Sequence, residues 1–255
     1  MIEVQDLRKQ FKLTRQQKKE MGKTSSAGTI EALSGINFTC QPGRVFSLLG
    51  PNGAGKTTAL RLIGTMLKPT AGTIRVCGND VVKQALEVRR CIGFLTGTTG
   101  LYDRLTPIEL VKYYADLHGV EKSVFTKRRD ELFSRLGMNE FASRRISKLS
   151  TGMRQKVSIV RTIIHDPEVV IFDEPTAGLD VISARSIIEL VRDFRAKGKT
   201  IIFSTHIMGE VSLLSDDLAI IHKGKLCYSG TYKAFADGMK TKSLEDEFIR
   251  IVEGA

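Results

Sequence analysis

The chain has 255 residues, is 42% hydrophobic and 26% charged, and carries a formal net charge of +11. That length can bury the core of one large α/β domain or of two small ones. The longest wholly apolar runs, such as 169–172, fall far short of the roughly 20 residues that span a bilayer. Any role at a membrane is therefore expected to need a partner chain, and no secretory signal is visible at the amino terminus.

The cysteines are predicted to be reduced packing residues. They form no Cys-x-x-Cys pair and lie on separate predicted elements, which argues against a disulfide framework or a zinc site. These cysteines are Cys40, Cys77, Cys91 and Cys227. Together with the missing secretory signal, this pattern predicts a cytosolic protein.

The predicted elements follow one another in an order typical of an α/β fold with a mainly parallel sheet. Two amino-terminal strands at 2–7 and 36–40 are expected to form a small antiparallel layer. The other strands are predicted at 45–49, 73–76, 90–95, 169–172, 200–204 and 218–221. The helices are predicted at about 58–67, 106–118, 123–136, 152–165, 183–197 and 243–252.

Three helices in the middle third of the chain follow one another without an intervening strand. The first begins at the capping box Thr106-Pro107-Ile108-Glu109, and the third ends near His165. This pattern predicts a helical subdomain at approximately 98–165, inserted into a single domain over 1–255.

A basic insertion is predicted at approximately 12–29, between the two amino-terminal strands. Seven basic residues and a single acid lie between Arg8 and Lys23. One interpretation is a solvated, mobile segment, and the other is contact with anionic lipid headgroups beside a membrane partner. Apart from Phe11, no aromatic residue lies among the basic ones, so a nucleic-acid partner is not expected.

A glycine-rich turn lies between the buried strand at 45–49 and a helix, which is the order that a phosphate loop requires. It matches the pattern G-x-x-x-x-G-K-[ST] at Gly50, Pro51, Asn52, Gly53, Ala54, Gly55, Lys56, Thr57 and Thr58. In such a loop the backbone N–H groups face the α and β phosphates, and Lys56 reaches the β and γ oxygens. The Thr57 hydroxyl can ligate Mg²⁺. The sequence therefore predicts that the protein binds a nucleoside triphosphate.

Two adjacent carboxylates at the end of the apolar strand 169–172 form a second nucleotide-handling feature. Asp173 is placed like the carboxylate that holds Mg²⁺, often through water, and Glu174 can polarise a water aimed at the γ phosphate. An ordinary capped turn at Asp-Glu-Pro-Thr is the alternative. The phosphate loop in the same chain favours the catalytic interpretation.

With these motifs in place, the chain resembles the ATP-binding cassette (ABC) ATPases, the engines of ABC transporters, over nearly its whole length. The resemblance identifies Leu149-Ser150-Thr151-Gly152-Met153 as the signature motif, normally Leu-Ser-Gly-Gly-Gln. It identifies Ala177-Gly178-Leu179-Asp180 as the D-loop, His206 as the switch histidine and Phe11 as the aromatic residue that stacks on adenine. The expected fold is the phosphate-loop NTPase fold of the ABC type, with a mainly parallel core sheet.

The resemblance implies a Mg²⁺-dependent ATPase that energises export through a separate multi-span permease, at the cytoplasmic face of the membrane. Two copies would bind two ATP molecules head to tail, each between the Lys56 loop of one chain and the Ser150 helix of the other. A homodimer is expected, with Thr151 and Gly152 also acting in trans, since a helix start suits an anion. His206 would contact the γ phosphate and orient the water that Glu174 activates.

The chain departs from the family pattern at a few positions. Gly97 stands where a glutamine that contacts Mg²⁺ is expected, and Thr96 and Thr98 are candidate replacements. Thr151 replaces a glycine of the signature, and a β-branched residue cannot adopt every backbone shape open to glycine. Together with the segment 100–106, these departures resemble the ATPases of sodium-export ABC systems of the bacterial NatA type, which points to sodium ions as cargo.

Two functions of other classes are alternatives. A hydrolysis-poor cassette could act as a nucleotide-gated clamp on the ribosome or nucleic acid, but such soluble ABC proteins usually carry two cassettes, and this chain has one phosphate loop. A small-molecule kinase or a GTPase is disfavoured, because the sequence contains no Asn-Lys-x-Asp guanine-reading motif.

Overall fold

The computed structural model describes residues 1–13, 28–97 and 100–254, which form two β-sheets and nine α-helices. The strands are β1 (Ile2–Lys12), β2 (Thr29–Cys40), β3 (Val45–Leu49), β4 (Ala71–Val76), β5 (Asn79–Asp80), β6 (Ile92–Leu95), β7 (Val169–Asp173), β8 (Thr200–Thr205), β9 (Asp217–His222) and β10 (Lys225–Thr231). The helices are α1 (Lys56–Ile63), α2 (Ala85–Cys91), α3 (Pro107–Leu117), α4 (Lys122–Arg135), α5 (Thr151–Ile163), α6 (Val181–Ala196), α7 (Met208–Leu214), α8 (Tyr232–Asp237) and α9 (Leu244–Glu253). None of the helices in these three ranges has the length and apolar character that a membrane crossing requires.

The central sheet has the strand order β10-β9-β3-β8-β7-β6. Its neighbours from β9 to β6 pair in parallel, and β10 pairs antiparallel with β9 at one edge. Every residue of β3, β7 and β8 is buried, as expected for strands covered on both faces. The parallel pairing therefore brings the carboxyl ends of β3, β8 and β7 side by side at one edge of the sheet.

The two faces of the central sheet pack into two different hydrophobic clusters. Along β7, Val170 and Phe172 belong to the cluster that also contains side chains of α3, α4 and α5. Val169 and Ile171 belong to the cluster built with α1 and the second sheet. This alternation follows from the two-residue period of a strand, and it explains why the run 169–172 is continuously apolar.

The second sheet is antiparallel and has the strand order β2-β1-β4-β5. Its strands β1 and β2 are longer than the sequence predicts, because their ladder continues from Ile2↔Cys40 to Lys12↔Thr29. The ends of the predicted basic insertion thus lie in this ladder. The rest of the insertion, residues 14–27, lies outside the described part of the chain, and the boundaries 12–29 stay a prediction.

The helices α3, α4 and α5 occupy the segment predicted to be a helical subdomain. The Thr106 side chain accepts from the Glu109 N–H, and the Glu109 carboxylate accepts from the Thr106 N–H, so the predicted capping box opens α3. These helices share their cluster with the central sheet, through residues such as Phe133 and Val157. The subdomain boundaries 98–165 stay a prediction, since 98–99 are outside the described ranges.

Some predicted elements differ from the structure. The strand predicted at 90–95 begins only at Ile92, because Arg90 and Cys91 complete α2, where the Arg90 guanidinium pairs with Glu87 at 2.9 Å. The short helices α7 and α8 were not predicted, since six or seven residues give too little periodicity to distinguish a helix from a loop. The fold class itself, a mainly parallel α/β core with an antiparallel layer, is confirmed.

Two histidines stack in a cleft beside β6. The rings of His118 and His165 lie 3.7 Å apart between centroids and 12° from parallel, in a cleft of about 390 Å³. His165 Nε2 contacts the Ile92 carbonyl oxygen at 3.1 Å, while the buried Nδ1 has no hydrogen-bond partner in the described ranges. Burial, followed by the nearby charge of His118, lowers the pKa of His165 to about 4 from its ordinary 6.5.

This histidine pair predicts a loss of stability in acid. The unfolded chain protonates His165 near pH 6.5, whereas the folded chain resists protonation down to about pH 4. The free energy of unfolding should therefore fall as the pH falls between these values, and the positive charges of Lys199 and Arg128 add to the effect. Urea unfolding at about pH 7 and pH 5 should show a smaller drop for His165→Gln than for the unaltered chain. Equal drops would contradict this interpretation.

Candidate nucleotide site

The predicted phosphate loop lies at the carboxyl end of β3 and leads directly into α1. Gly50 allows a close approach there, because a Cβ at this position would lie 2.3 Å from a backbone carbonyl oxygen of β9. Gly55 has a φ of +112°, which residues with a Cβ rarely adopt. The loop encloses a pocket of about 160 Å³, lined by residues 51–58, Ala32 and Glu174. Its backbone N–H groups and the start of α1 form a site suited to an anion.

The Lys56 ammonium supplies a positive charge to this pocket. Its Nζ donates to the carbonyl oxygens of Gly50 at 2.6 Å and Pro51 at 3.3 Å, and lies 3.8 Å from Glu174 Oε1. Burial lowers the pKa of Lys56, and the carboxylates of Glu174 and Asp173 oppose that shift. A phosphate oxygen is a stronger partner for an ammonium than a carbonyl oxygen. When a phosphate binds, the Lys56 ammonium can therefore exchange its hydrogen bonds to the loop carbonyl oxygens for hydrogen bonds to phosphate oxygens.

Asp173 and Glu174 are held at the end of β7 by Ser204 of the neighbouring strand β8. Asp173 is 7% exposed, and its Oδ1 accepts from Ser204 Oγ at 2.6 Å. The Glu174 N–H donates to both the Ser204 hydroxyl and the Ser204 carbonyl oxygen, each at 3.1 Å. Glu174 has a φ of +50°, a strained conformation for a residue with a side chain. Ser204 therefore fixes both the aspartate and the unusual backbone turn that follows it.

Ser204 was not among the predicted site residues. It lies within the Ser204-Thr205-His206 segment that the sequence singles out, but only the pairing of β7 with β8 shows which side chain it contacts. The register Asp173↔Ser204 places the two residues opposite each other. The sequence signal that could have identified Ser204 is a polar residue at the end of a continuously buried strand.

His206 follows β8 and faces the same carboxylate. Its Nδ1 lies 3.4 Å from Glu174 Oε1, and its side chain is 53% exposed. The preceding Thr205 is anchored by donating to Glu210 Oε2 at 2.5 Å and by accepting from the Ile207 N–H at 3.0 Å. The Glu174 carboxylate therefore lies between the Lys56 ammonium and the His206 imidazole. The structure brings these three predicted residues together.

The predicted signature residues lie elsewhere, at the start of α5. The Ser150 hydroxyl caps this helix by accepting from the Met153 N–H at 3.3 Å, and neither Ser150 nor Gly152 lines the pocket around the phosphate loop. One contact links the helix to the site, since Gln155 Nε2 donates to the Pro175 carbonyl oxygen at 2.8 Å. Within one chain, the signature is thus connected to the segment after Glu174 but separated from the phosphate loop.

Asp180 and Phe11 also lie outside the phosphate pocket. Asp180 caps α6 by accepting from the Ser183 N–H at 2.9 Å, and that hydrogen bond lowers the pKa of the Asp180 carboxyl. Phe11 lies on β1 opposite Ile30, is 40% exposed and has the Lys9 ammonium 5.1 Å from its ring centroid. The Phe11 side chain is therefore partly accessible to solvent.

The segment that replaces the expected glutamine follows β6. Thr96 is buried and lines the histidine cleft rather than the phosphate pocket. At Gly97, a Cβ would meet no atom within 4 Å among the described residues, so the loop has room for a larger side chain that this sequence does not use. Thr98, the other candidate replacement, is outside the described ranges.

Comparison with known proteins agrees with the motifs and the geometry. The sequence model of the ABC transporter family matches residues 33–177. The chain is 41% identical over 227 residues to the ABC transporter ATP-binding protein NatA of Bacillus subtilis (strain 168), covering 88% of this chain and 92% of that protein.

Solved structures show the same relationship. A structure of an ATP-binding subunit of an ABC transporter superposes with a TM-score of 0.84 at 27% identity, covering 98% of this chain and 99% of the other. A dimeric structure of a bacterial ABC transporter cassette superposes with a TM-score of 0.78 at 25% identity, covering 91% of this chain and 98% of the other. The resemblance inferred from the motifs is confirmed: the chain belongs to the ABC transporter family, as an ATP-binding and ATP-hydrolysing subunit.

Proposed function

We propose that this subunit hydrolyses ATP with Glu174 as the general base and thereby energises export through a separate membrane permease. The observation that carries this proposal is the position of one carboxylate, 3.8 Å from the Lys56 ammonium and 3.4 Å from His206 Nδ1. Such an arrangement can bind a terminal phosphate and activate a water beside it. In this proposal the phosphate loop binds the nucleotide, and the residues at the ends of β7 and β8 carry out the hydrolysis.

In the proposed reaction each residue has a separate task. The backbone N–H groups of 51–58 bind the phosphates, and Lys56 donates to the β and γ oxygens. Glu174 accepts the proton of the attacking water, and His206 donates to the γ phosphate. Ser204 positions Glu174 through the two hydrogen bonds from the Glu174 N–H.

The oxygen donors near the phosphate loop fit Mg²⁺. Thr57 lines the pocket, and the charge of the Asp173 carboxylate partly opposes the lowering of the Lys56 pKa that burial causes. Hydroxyl and carboxylate oxygens are the ligands that this ion prefers, and it takes few protein ligands when phosphates supply the others. When bound, Mg²⁺ would neutralise charge on the β and γ phosphate oxygens.

The working site is proposed to need a second ABC ATPase chain, most simply a second copy. The start of α5, with Ser150, Thr151 and Gly152, carries donors that its own phosphate pocket does not use, and these would engage the nucleotide of the other subunit. Next to Asp180, the apolar side chains of Val181 and Ile182 are 85% and 81% exposed. Large apolar side chains exposed beside a site indicate an interface, and the dimeric cassette of similar fold supports this arrangement.

The proposed partner in the membrane is a multi-span permease, which places the subunit at the cytoplasmic face of the cell membrane. Export is the proposed direction of transport and sodium ions are the proposed cargo, because the departures at Gly97 and Thr151 resemble those of sodium-export ABC systems. We treat the chain as a single ABC ATPase domain over 1–255, with the helical subdomain at approximately 98–165. The basic insertion at approximately 12–29 would lie near lipid headgroups or in solvent. The family match does not favour the ribosomal or nucleic-acid clamp.

Removing the proposed base should separate ATP binding from turnover. Glu174→Gln should retain ATP affinity and lower kcat by a factor on the order of 10² to 10⁴, since an amide cannot accept the proton of the attacking water. Lys56→Ala should instead weaken ATP binding, because the main cation of the pocket is lost. Steady-state ATPase assays and fluorescent-nucleotide titration measure the two effects, with Lys83→Ala as an exposed control. Full turnover by Glu174→Gln would remove the assigned base.

Replacing Ser204, the serine that orients the carboxylates, should lower kcat more than it changes KM. Ser204→Ala leaves Asp173 Oδ1 and the Glu174 N–H each with one hydrogen bond fewer, and losing a hydrogen bond to a charged group costs about 1.5–3 kcal/mol. We therefore expect kcat to fall roughly 10- to 100-fold with little change in the KM for ATP. Ser212→Ala removes a hydroxyl that donates to the Met208 carbonyl oxygen in α7 and serves as the control. A rise in KM without a fall in kcat would contradict the positioning role.

The identity of the partner can be tested by affinity purification from native membranes. The tagged chain should recover a multi-span membrane protein, and the recovery should decrease in detergents that break subunit contacts. A matched control is the same purification with an unrelated tagged cytosolic protein. Recovery of ribosomes in place of a membrane protein would instead support the clamp.

A further inference from the structure

The backbone directly after β7 forms a strained turn, and the proposed base lies on it. Glu174 has a φ of +50°, although a residue that precedes a proline favours an extended conformation. Such a conformation persists only where the surrounding structure fixes it. The hydrogen bonds from the Glu174 N–H to Ser204 fix the turn from the side of β8. The opposite side of the turn needs a contact of its own.

Pro175 offers a single backbone group for such a contact. A proline has no N–H, so only its carbonyl oxygen can form a backbone hydrogen bond. Pro175 is buried, and a buried carbonyl group without a partner is unfavourable. Gln155 Nε2 donates to this oxygen at 2.8 Å, from the first half of α5. Because Gln155 is half-buried, the hydrogen bond is partly shielded from water.

The segment after this proline packs against the same helix. The Ala177 N–H donates to the Glu174 carbonyl oxygen at 3.2 Å, which closes the turn. Leu179 follows, and a Cβ at Gly152 would lie 3.5 Å from Leu179 Cδ2, which is ordinary van der Waals contact. Leu179 also packs against the hydrophobic cluster that contains side chains of α5. Apolar packing therefore holds the helix against the turn, and the Gln155 amide is presented to the turn from a fixed position.

We propose that Gln155 is a positioning residue for ATP hydrolysis, because its amide holds the Pro175 carbonyl oxygen and thereby fixes the direction of the Glu174 carboxylate. This inference rests on the proposed role of Glu174 as the general base. Gln155 lies outside the phosphate pocket, so its effect on the reaction passes through the turn. Without this hydrogen bond the strained backbone can relax, and the carboxylate loses its alignment with Lys56 and His206.

The first test removes the donor and keeps the length of the side chain. Gln155→Met should lower kcat roughly 10-fold with little change in the KM for ATP, since the base is misplaced while the phosphate loop is intact. Gln155→Lys retains a donor that can reach the same carbonyl oxygen and should recover most of the lost kcat. Gln84→Met makes the same chemical change at an exposed hydrogen bond to Asn79 and should leave kcat unchanged. Steady-state ATPase assays measure these effects.

A double-mutant cycle tests whether Gln155 and Ser204 hold the same turn. Either change alone should release the strained backbone, so the variant that combines Ser204→Ala with Gln155→Met should lose less kcat than the product of the two separate factors. Combining Ser204→Ala with Gln84→Met should give the full product. Fluorescent-nucleotide titration should show that each of these variants retains its affinity for ATP, which confirms that the phosphate loop is folded.

The positioning role is overturned if Gln155→Met keeps the full kcat or raises KM without lowering kcat. It is also overturned if Gln155→Lys loses as much kcat as Gln155→Met, or if the losses caused by the Ser204 and Gln155 changes simply multiply. Full turnover by Glu174→Gln would instead remove the assigned base. An inactive Glu174→Gln together with a fully active Gln155→Met therefore rejects the positioning role alone and leaves the proposed function in place.

Discussion

The parallel pairing of β3, β8 and β7 holds the parts of the nucleotide site together. Each of these strands is buried along its whole length, so their polar groups can emerge only where the strands end. The registers Leu49↔Thr205 and Asp173↔Ser204 align those ends to within a residue. A phosphate loop, a pair of carboxylates and a histidine from distant parts of the sequence are therefore held at one edge, with little freedom to separate.

The alignment makes Glu174 the centre of the site, at the cost of backbone strain. The left-handed conformation at this residue is unfavourable, and the hydrogen bonds from its N–H to Ser204 offset part of that cost. A carboxylate held in this way faces both Lys56 and His206. The start of α5 does not line this pocket, which is why we propose that a second chain completes the site.

Much of this arrangement could be predicted from the sequence. The phosphate loop and the carboxylates at the end of β7 are local patterns, and each directly follows a strand that the sequence also predicts. The fold class followed from the order of strands and helices. Contacts between strands were harder to predict from the sequence. The hydrogen bond of Ser204 to Asp173 has no local signature, since it joins segments that are distant in the chain. Short elements such as α7 were missed because they offer too few residues for a periodic signal.

We expect each nucleotide to be bound between two chains, and a crosslink that traps the pair tests this arrangement. Cysteines introduced by Asn52→Cys in one chain and Ser150→Cys in another can be joined with a short bifunctional maleimide, after the native cysteines are replaced by serine. In the presence of ATP and the Glu174→Gln change, we expect an interchain crosslink that is lost without nucleotide. A chain that binds ATP fully but never forms this crosslink, or forms it equally without ATP, would show that the nucleotide is not bound between two chains.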